Sequence, residues 1–151
     1  STRLGEVDVV ATPAAHRGRR YPIGRRIPAL GFDLRAGGRR LYFAGDTALF
    51  DGMRELAGRL DVALLPIAGW GDTVGLSHHL DPTTAAKAAA MLRPRIVVPI
   101  HWGTLLRAGL ARRRPDLLSD PPREFVARAA ELAPEVEVRV LAPGESLELP
   151  P

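Results

Sequence analysis

The chain has 151 residues, a formal net charge of +4 and no cysteine. This length suits one domain with a hydrophobic core, and the lack of cysteine excludes a disulfide framework, a cysteine-based zinc site and a thiol nucleophile. No apolar run approaches the roughly 18 residues of a membrane span, and no secretory signal opens the sequence. These features predict a cytoplasmic protein.

The basic charge comes almost entirely from arginine, since Lys87 is the single lysine among 21 basic residues. Most of these arginines are scattered, and aromatic residues make up only 5% of the chain. Nucleic-acid binding usually needs clustered basic residues with interleaved aromatics, so we expect no nucleic-acid partner. An arginine-rich module for nucleic acid or acidic surfaces is the least favoured of three functional hypotheses.

Apolar runs and turn residues predict alternating strands and helices, which indicates a layered α/β fold. Residues 36–38 form the turn of a predicted hairpin, and Asp81 and Pro82 are suited to begin a helix. The predicted strands span 7–11, 29–35, 40–44, 61–67 and 96–100, with a closing pair at 136–141 and 146–149. The predicted helices span 50–60, 82–92, 105–111 and 122–132.

Polar residues that can bind metal follow the predicted buried strands. His16, Asp46 and His101 each come shortly after a strand, and His78 and His79 follow a glycine-rich loop after another. Ligand sites of open α/β sheets lie at the carboxyl ends of the strands. Imidazole nitrogen and carboxylate oxygen are good ligands for Zn²⁺ and related ions. The pattern therefore predicts a metal site at one edge of the sheet.

Each of these residues also has an ordinary alternative role. The histidines can be surface-loop or semi-buried residues, and Asp46 can cap a helix. The tryptophans Trp70 and Trp102 can pack locally or form a substrate wall.

Four segments together resemble the metallo-β-lactamase superfamily. They are residues 12–16 (TPAAH), 41–47 (LYFAGDT), 65–82 (LPIAGWGDTVGLSHHLDP) and 98–104 (VPIHWGT). The resemblance is strongest to the branch that includes N-acylphosphatidylethanolamine phospholipase D and the ascorbate-6-phosphate lactonases. It implies one partial domain over residues 1–151, the C-terminal half of an αββα sandwich, because the HxHxDH motif of the family's first half is absent from the sequence.

The resemblance also implies a ligand set. His16 corresponds to a histidine of a first metal, Asp46 to the carboxylate shared by two metals, and His101 to a histidine of the second. The implied cofactors are two divalent ions, with zinc favoured and manganese or iron as alternatives. Because catalytic zinc typically keeps three protein ligands per ion, the chain alone is expected to bind metal poorly and to hydrolyse little.

The implied activity is metal-dependent hydrolysis of an ester, lactone, amide or phosphodiester bond by water activated between two metals. Asp46 would hold the bridge and accept a proton, while His79 would stabilise the developing negative charge and contact a small-molecule or lipid-like substrate together with Trp70. Whether His78 or His79 faces the site stays open at this stage. The resemblance also places Arg19 and Arg20 where the family often has a basic or polar residue facing the pocket, and a solvated loop is the favoured alternative. The second hypothesis is a non-catalytic remnant of the same fold that serves binding or assembly.

A half sandwich leaves part of its apolar sheet face uncovered. We therefore expect an exposed apolar patch that leads to self-association or binds a complementing N-terminal half.

Overall fold

The computed structural model describes residues 1–16, 27–69, 79–104 and 109–149. In these ranges seven strands form one mixed sheet, and their spatial order is their order along the chain. Strands β1 to β4 are antiparallel neighbours, whereas β4 to β7 are parallel. The strands are β1 Thr2–Leu4, β2 Val7–Ala14, β3 Ala29–Ala36, β4 Arg39–Phe43, β5 Val62–Pro66, β6 Ile96–Ile100 and β7 Glu137–Val138.

Five helices lie in the described ranges, and two of them cover one face of the parallel part of the sheet. The five are a 3₁₀ helix Asp51–Leu56 and the α-helices α1 Pro82–Leu92, α2 Leu110–Arg113, α3 Asp116–Ser119 and α4 Pro121–Leu132. The main core lies between this face and the helices α1 and α4, with Tyr42, Leu65, Leu92 and Phe125 fully buried. None of the helices in the described ranges is long and apolar enough to cross a bilayer.

Helix α1 begins with a capping box, as the sequence predicts. The Asp81 side chain accepts a hydrogen bond from the Thr84 backbone N–H at 2.7 Å, and the Asp81 N–H donates to the Thr84 hydroxyl at 2.9 Å. Pro82 occupies the first turn, where its missing N–H costs no helical hydrogen bond. The helix ends at Arg93, which adopts a left-handed backbone conformation.

The predicted hairpin, the two buried strands β5 and β6, and the helices α1 and α4 are confirmed. Strand β1 was not predicted. The predicted helix over 50–60 is wrong in type and length, because the chain forms only the short 3₁₀ helix. Gly58 and Arg59 both adopt positive φ just beyond it, so the helix cannot continue. The predicted helix over 105–111 lies mainly outside the described residues.

The predicted closing pair of strands is wrong. Only Glu137 and Val138 pair with the sheet, in parallel with β6. Residues 146–149 form no strand; instead Leu147 and Leu149 pack with Leu141 against the sheet face that points away from the helices. Their apolar alternation therefore reflects burial on a sheet face rather than pairing within the sheet.

Over the antiparallel strands, the described residues cover the same sheet face only in part. Strand alternation places Val9, Phe32 and Leu34 on this side, in register with Leu41 on β4. Leu30 on β3 shares this face and is 47% exposed. Val9, Phe32 and Leu34 are half-buried, so this apolar surface is partly accessible in the described residues, and we call it the open apolar face.

On the helical side, β3 and β4 carry an ion-pair network around a buried aspartate. Asp33 has a side chain only 3% exposed, and it accepts hydrogen bonds from Arg35 at 2.7 Å and Arg40 at 3.0 Å. Burial by itself raises the pKa of Asp33, but the hydrogen bonds and charges of these two arginines outweigh burial and lower it below its usual value. The network therefore stabilises the hairpin in the ionised form of Asp33.

We expect Asp33→Asn to lower the free energy of unfolding at pH 7 by about 1–3 kcal/mol, because it weakens hydrogen bonds to charged groups. The pKa of Asp33 is lower in the folded protein than in the unfolded one. Its ionised carboxylate therefore stabilises the fold above the unfolded pKa of about 3.9, and this stabilisation is lost as pH falls through the pKa of the folded protein. The deficit of the variant should therefore shrink below about pH 4. Urea unfolding at pH 7 and pH 3 measures this, with Glu131→Gln, in an exposed pair with Arg128, as the control. If Asp33→Asn lost the same free energy of unfolding at both pH values, the stabilising role of ionised Asp33 would be contradicted.

Candidate metal centre

Four strands direct their carboxyl ends to the same edge of the sheet. Strands β2 and β4 run in one direction because β3 is antiparallel to both, and β5 and β6 are parallel to β4. His16 lies two residues after β2, Asp46 three after β4 and His101 directly after β6. His79 lies between β5 and α1. The sheet topology therefore brings to one edge the residues that the sequence analysis singled out.

The side chains of these residues are in contact. The Nε2 atoms of His16 and His79 lie 3.2 Å apart, and Nε2 of His101 lies 3.4 Å from Oδ1 of Asp46. One ligand atom from each of His16, Asp46 and His79 falls within 4.8 Å of the others. The ring of His79 also stacks against that of His101, with centroids 6.1 Å apart. We call these four residues the His–Asp cluster.

The cluster suits a divalent metal ion by its chemistry and its spacing. Two ligands of one tetrahedral zinc, each about 2.0–2.1 Å from the ion, are about 3.3 Å apart. The separations of 3.2 Å between His16 and His79 and of 3.4 Å between His101 and Asp46 are close to this value. Two neutral imidazoles can share only one proton at such a contact, whereas a cation satisfies both nitrogens. The Asp46 side chain is 49% exposed, so the cluster opens to solvent.

Close backbone approaches fix the loops that carry the cluster. Gly45 precedes Asp46 with φ +61°, and a Cβ at this position would lie 2.7 Å from the carbonyl oxygen of Leu30. At Gly69, a Cβ would lie 2.6 Å from the carbonyl oxygen of Leu80, the residue after His79. Both positions therefore require glycine, because any larger residue would push the site loops off the neighbouring backbone.

His101 adopts a left-handed backbone conformation with φ 58°. This region is unfavourable for residues with a Cβ, and strain of this kind persists where the surrounding structure holds it. The conformation turns the chain directly after β6, so the imidazole lies beside Asp46 rather than continuing the strand. The histidine is thus placed at some cost in stability.

One residue within this region was not singled out by the sequence analysis. Thr47 is fully buried, and its hydroxyl accepts a hydrogen bond from the Ala15 N–H at 2.9 Å. Its carbonyl oxygen accepts another from the Leu80 N–H at 2.8 Å. In the sequence, the Gly-Asp-Thr turn at residues 45–47 is the signal that could have indicated a role for Thr47.

Several predicted site residues lie outside the described residues. They are Arg19, Arg20, Trp70 and His78. Of the two neighbouring histidines, His79 is described, and it lies in the cluster. Trp102 is partly buried against the main core, and its indole N–H donates to the Pro99 carbonyl at 3.2 Å, which fits local packing.

Comparison with known proteins agrees with this architecture. The family described as the β-lactamase superfamily domain matches residues 1–102. The chain belongs to the β-lactamase superfamily. The metallo-β-lactamase fold protein YhfI from Bacillus subtilis, at 10% identity, superposes with a TM-score of 0.65 over 93% of this chain and 48% of its own, which shows the same fold.

Other known proteins are more similar in sequence. A UPF0173 metal-dependent hydrolase from Pyrococcus furiosus is 39% identical over 98% of this chain and 58% of its own length. Igni18, a metallo hydrolase from Ignicoccus hospitalis, is 32% identical with a TM-score of 0.69, over 94% of this chain and 52% of its own. The chain thus spans little more than half the length of these relatives.

The strain at His101 yields a stability prediction. His101→Ala and His101→Gly both remove the imidazole, but only glycine adopts φ near +60° without a Cβ penalty. We expect the glycine variant to be more stable than the alanine variant by about 1 kcal/mol in urea unfolding. The same pair of substitutions at Trp102, whose φ is not positive, is the control and should favour alanine. Equal stability of the two His101 variants would show that the left-handed conformation is not held in solution.

Proposed function

We propose that this chain carries the metal-binding edge of a metal-dependent hydrolase. The observation that supports this most directly is the convergence of His16, Asp46, His79 and His101 at the carboxyl edge of the sheet. The names of the more similar relatives, metal-dependent hydrolase and metallo hydrolase, support the same conclusion. The three histidines and the carboxylate would hold divalent metal.

The cluster divides into two groups of donors that Asp46 joins. His16 and His79 contact each other, while His101 contacts Asp46. A carboxylate has two oxygens and can serve both groups, so we infer two ions with Asp46 shared between them. His79 is the residue that extends the ligand set beyond the three expected from the sequence.

A bound divalent ion supplies Lewis acidity and lowers the pKa of water. The chain's own contribution is to place groups around the reacting bond. Asp46 offers a solvent-accessible carboxylate oxygen that accepts a proton. A His79 imidazole N–H would donate a hydrogen bond to the negative charge that develops on the substrate oxygen. His79 cannot bind metal and donate through the same nitrogen, so these two roles use different ring atoms or exclude each other.

The substrate class follows only from the resemblance. We propose an ester, lactone, amide or phosphodiester of a small or lipid-like molecule, as in the phospholipase D and lactonase branch, with Trp70 as a substrate contact. Zinc is the favoured ion because histidine nitrogen and carboxylate oxygen suit it, with manganese and iron as alternatives. A cytoplasmic location remains a prediction from the sequence.

Asp46→Asn should reduce the zinc affinity of the chain at least ten-fold, because an amide oxygen is a poorer ligand than the carboxylate that both donor groups share. Isothermal titration with zinc, together with metal analysis of the purified chain, measures this. Asp51→Asn is the matched control, since that carboxylate is exposed on the 3₁₀ helix a few residues further along. Equal zinc affinity in the two variants would remove Asp46 from the ligand set.

Hydrolysis needs a separate test, because four donors are fewer than two catalytic ions normally take. A panel of ester, lactone, amide and phosphodiester substrates would be offered to the chain and to a version extended upstream. We expect activity chiefly in the extended protein, and Asp46→Ala should abolish it. Equal activity of the extended protein with and without Asp46 would contradict the proposed mechanism.

The open apolar face supports a second part of the proposal. This face continues from a covered region, where Val62, Ile96 and Val98 are buried under the C-terminal leucines, to an uncovered one around Leu30. Since the relatives are nearly twice as long, we infer that this face takes the remainder of the domain. In its absence, a second copy of the chain would cover it.

We therefore expect concentration-dependent self-association in sedimentation experiments on the isolated chain. Leu30→Glu should weaken it strongly because a charge would have to be buried in the contact. Val126→Glu is the matched control, since Val126 is 42% exposed on α4, away from the sheet face. A chain that stays monomeric at all concentrations would contradict the assignment of this face.

A further inference from the structure

Thr47 connects the segments that carry the His–Asp cluster. Its hydroxyl accepts a hydrogen bond from the N–H of Ala15, the residue before His16, and donates one to the carbonyl of Ala48 at 2.8 Å. Its own carbonyl accepts a hydrogen bond from Leu80, the residue after His79. Asp46 is its immediate neighbour in the chain.

A second contact strengthens the connection on the β2 side. The Ala48 N–H donates to the carbonyl of Ala15 at 2.9 Å, so Ala15 and Ala48 form an isolated bridge beyond the end of β2. Together with the Thr47 hydroxyl, this bridge fixes both polar backbone groups of Ala15. The backbone on which His16 sits is therefore held by the turn that carries Asp46, not by the sheet.

The Thr47 hydroxyl is well suited to this role. It is fully buried, with a relative exposure of 0%, and it is satisfied both as acceptor and as donor. Without the hydroxyl, the Ala15 N–H and the Ala48 carbonyl would each lose a partner within the protein, and buried polar groups without partners are costly. The loops on either side would then shift to recover hydrogen bonds.

We propose that Thr47 is a positioning residue that sets the distance between His16, His79 and Asp46 through the backbone. The expected effect on metal affinity rests on the proposed metal-binding function, whereas the hydrogen bonds of Thr47 do not depend on it. Partners that orient metal ligands typically change metal affinity 10–100-fold when they are removed.

The experiment uses the full 151-residue chain and three variants. Thr47→Val removes the hydroxyl at nearly constant volume, and Thr47→Ser keeps it. Thr12→Val is the matched control, because Thr12 is also buried and lies on β2, and within the described residues its hydroxyl makes no hydrogen bond to the loops of the cluster. Each is examined without metal by amide hydrogen exchange and by nuclear Overhauser contacts between the His16 and His79 rings, and then titrated with zinc.

We expect Thr47→Val to lose the ring contact and the protection of the Ala15 amide, while amides of α1 stay protected, and to bind zinc about ten-fold more weakly. Thr47→Ser and Thr12→Val should retain the contact, the protection and the affinity. An unchanged ring contact and affinity in Thr47→Val would overturn the proposal. An equal loss in all three variants would also overturn it, since the effect would then be one of general packing.

Two further outcomes are informative. If neither the wild-type chain nor the version extended upstream binds zinc, the proposed metal site fails, while the ring contact and amide exchange still decide the role of Thr47. If Thr47→Val does not fold, hydrogen exchange of the wild-type chain tests the proposal instead. A protected Ala15 amide and a slowly exchanging Thr47 hydroxyl proton would support it. A freely exchanging Ala15 amide would overturn it.

Discussion

The common direction of β2, β4, β5 and β6 is the constraint on which the candidate site depends. Each of these strands ends at the same edge of the sheet, so residues separated by more than 80 positions, such as His16 and His101, meet there. The antiparallel strand β3 is required for this arrangement, because it returns the chain so that β4 runs parallel to β2. Connectivity thus brings these residues to one edge, and the loops after the strands set the contacts between them.

Carboxylates in different parts of the sheet have different neighbours. At the carboxyl edge, Asp46 is accessible and its neighbours are histidines. Elsewhere in the sheet, Asp33 within β3 and Asp61 just before β5 are enclosed by arginines. The Arg40 backbone N–H, with Arg39 and Arg95, lowers the pKa of Asp61 against a smaller opposing effect of burial. Carboxylates that are saturated by arginine serve stability, whereas Asp46 keeps oxygen lone pairs for a ligand.

Much of this arrangement could be predicted from local patterns. The apolar runs of β5 and β6 and the cap at Asp81 are signals that depend on a few neighbouring residues. Strand β1 could not be predicted because its three residues are all exposed, so pairing with β2, rather than burial, makes it a strand. Apolar and polar residues also alternate around Leu147 and Leu149 as in a strand, but these two leucines pack against a sheet face.

The candidate site was predictable in its members but not in its contacts. The order of strand ends identifies His16, Asp46 and His101, yet the contact of His79 with His16 joins residues 63 positions apart and cannot be predicted from the neighbours of either. Thr47 acts through backbone groups of distant residues, and no local pattern indicates such contacts. The left-handed turn at His101 is equally invisible in sequence, because the residue is not glycine.

The central claim is that the His–Asp cluster binds a divalent ion. Anomalous diffraction at the zinc absorption edge, on crystals of the chain grown with zinc, tests it most directly. If the cluster binds zinc, we expect an anomalous peak within about 2.0–2.2 Å of the ligand atoms of one of two groups. The first group is His16, Asp46 and His79, and the second is Asp46 and His101. A zinc-loaded crystal with its peaks elsewhere, and with these four side chains apart, would contradict it.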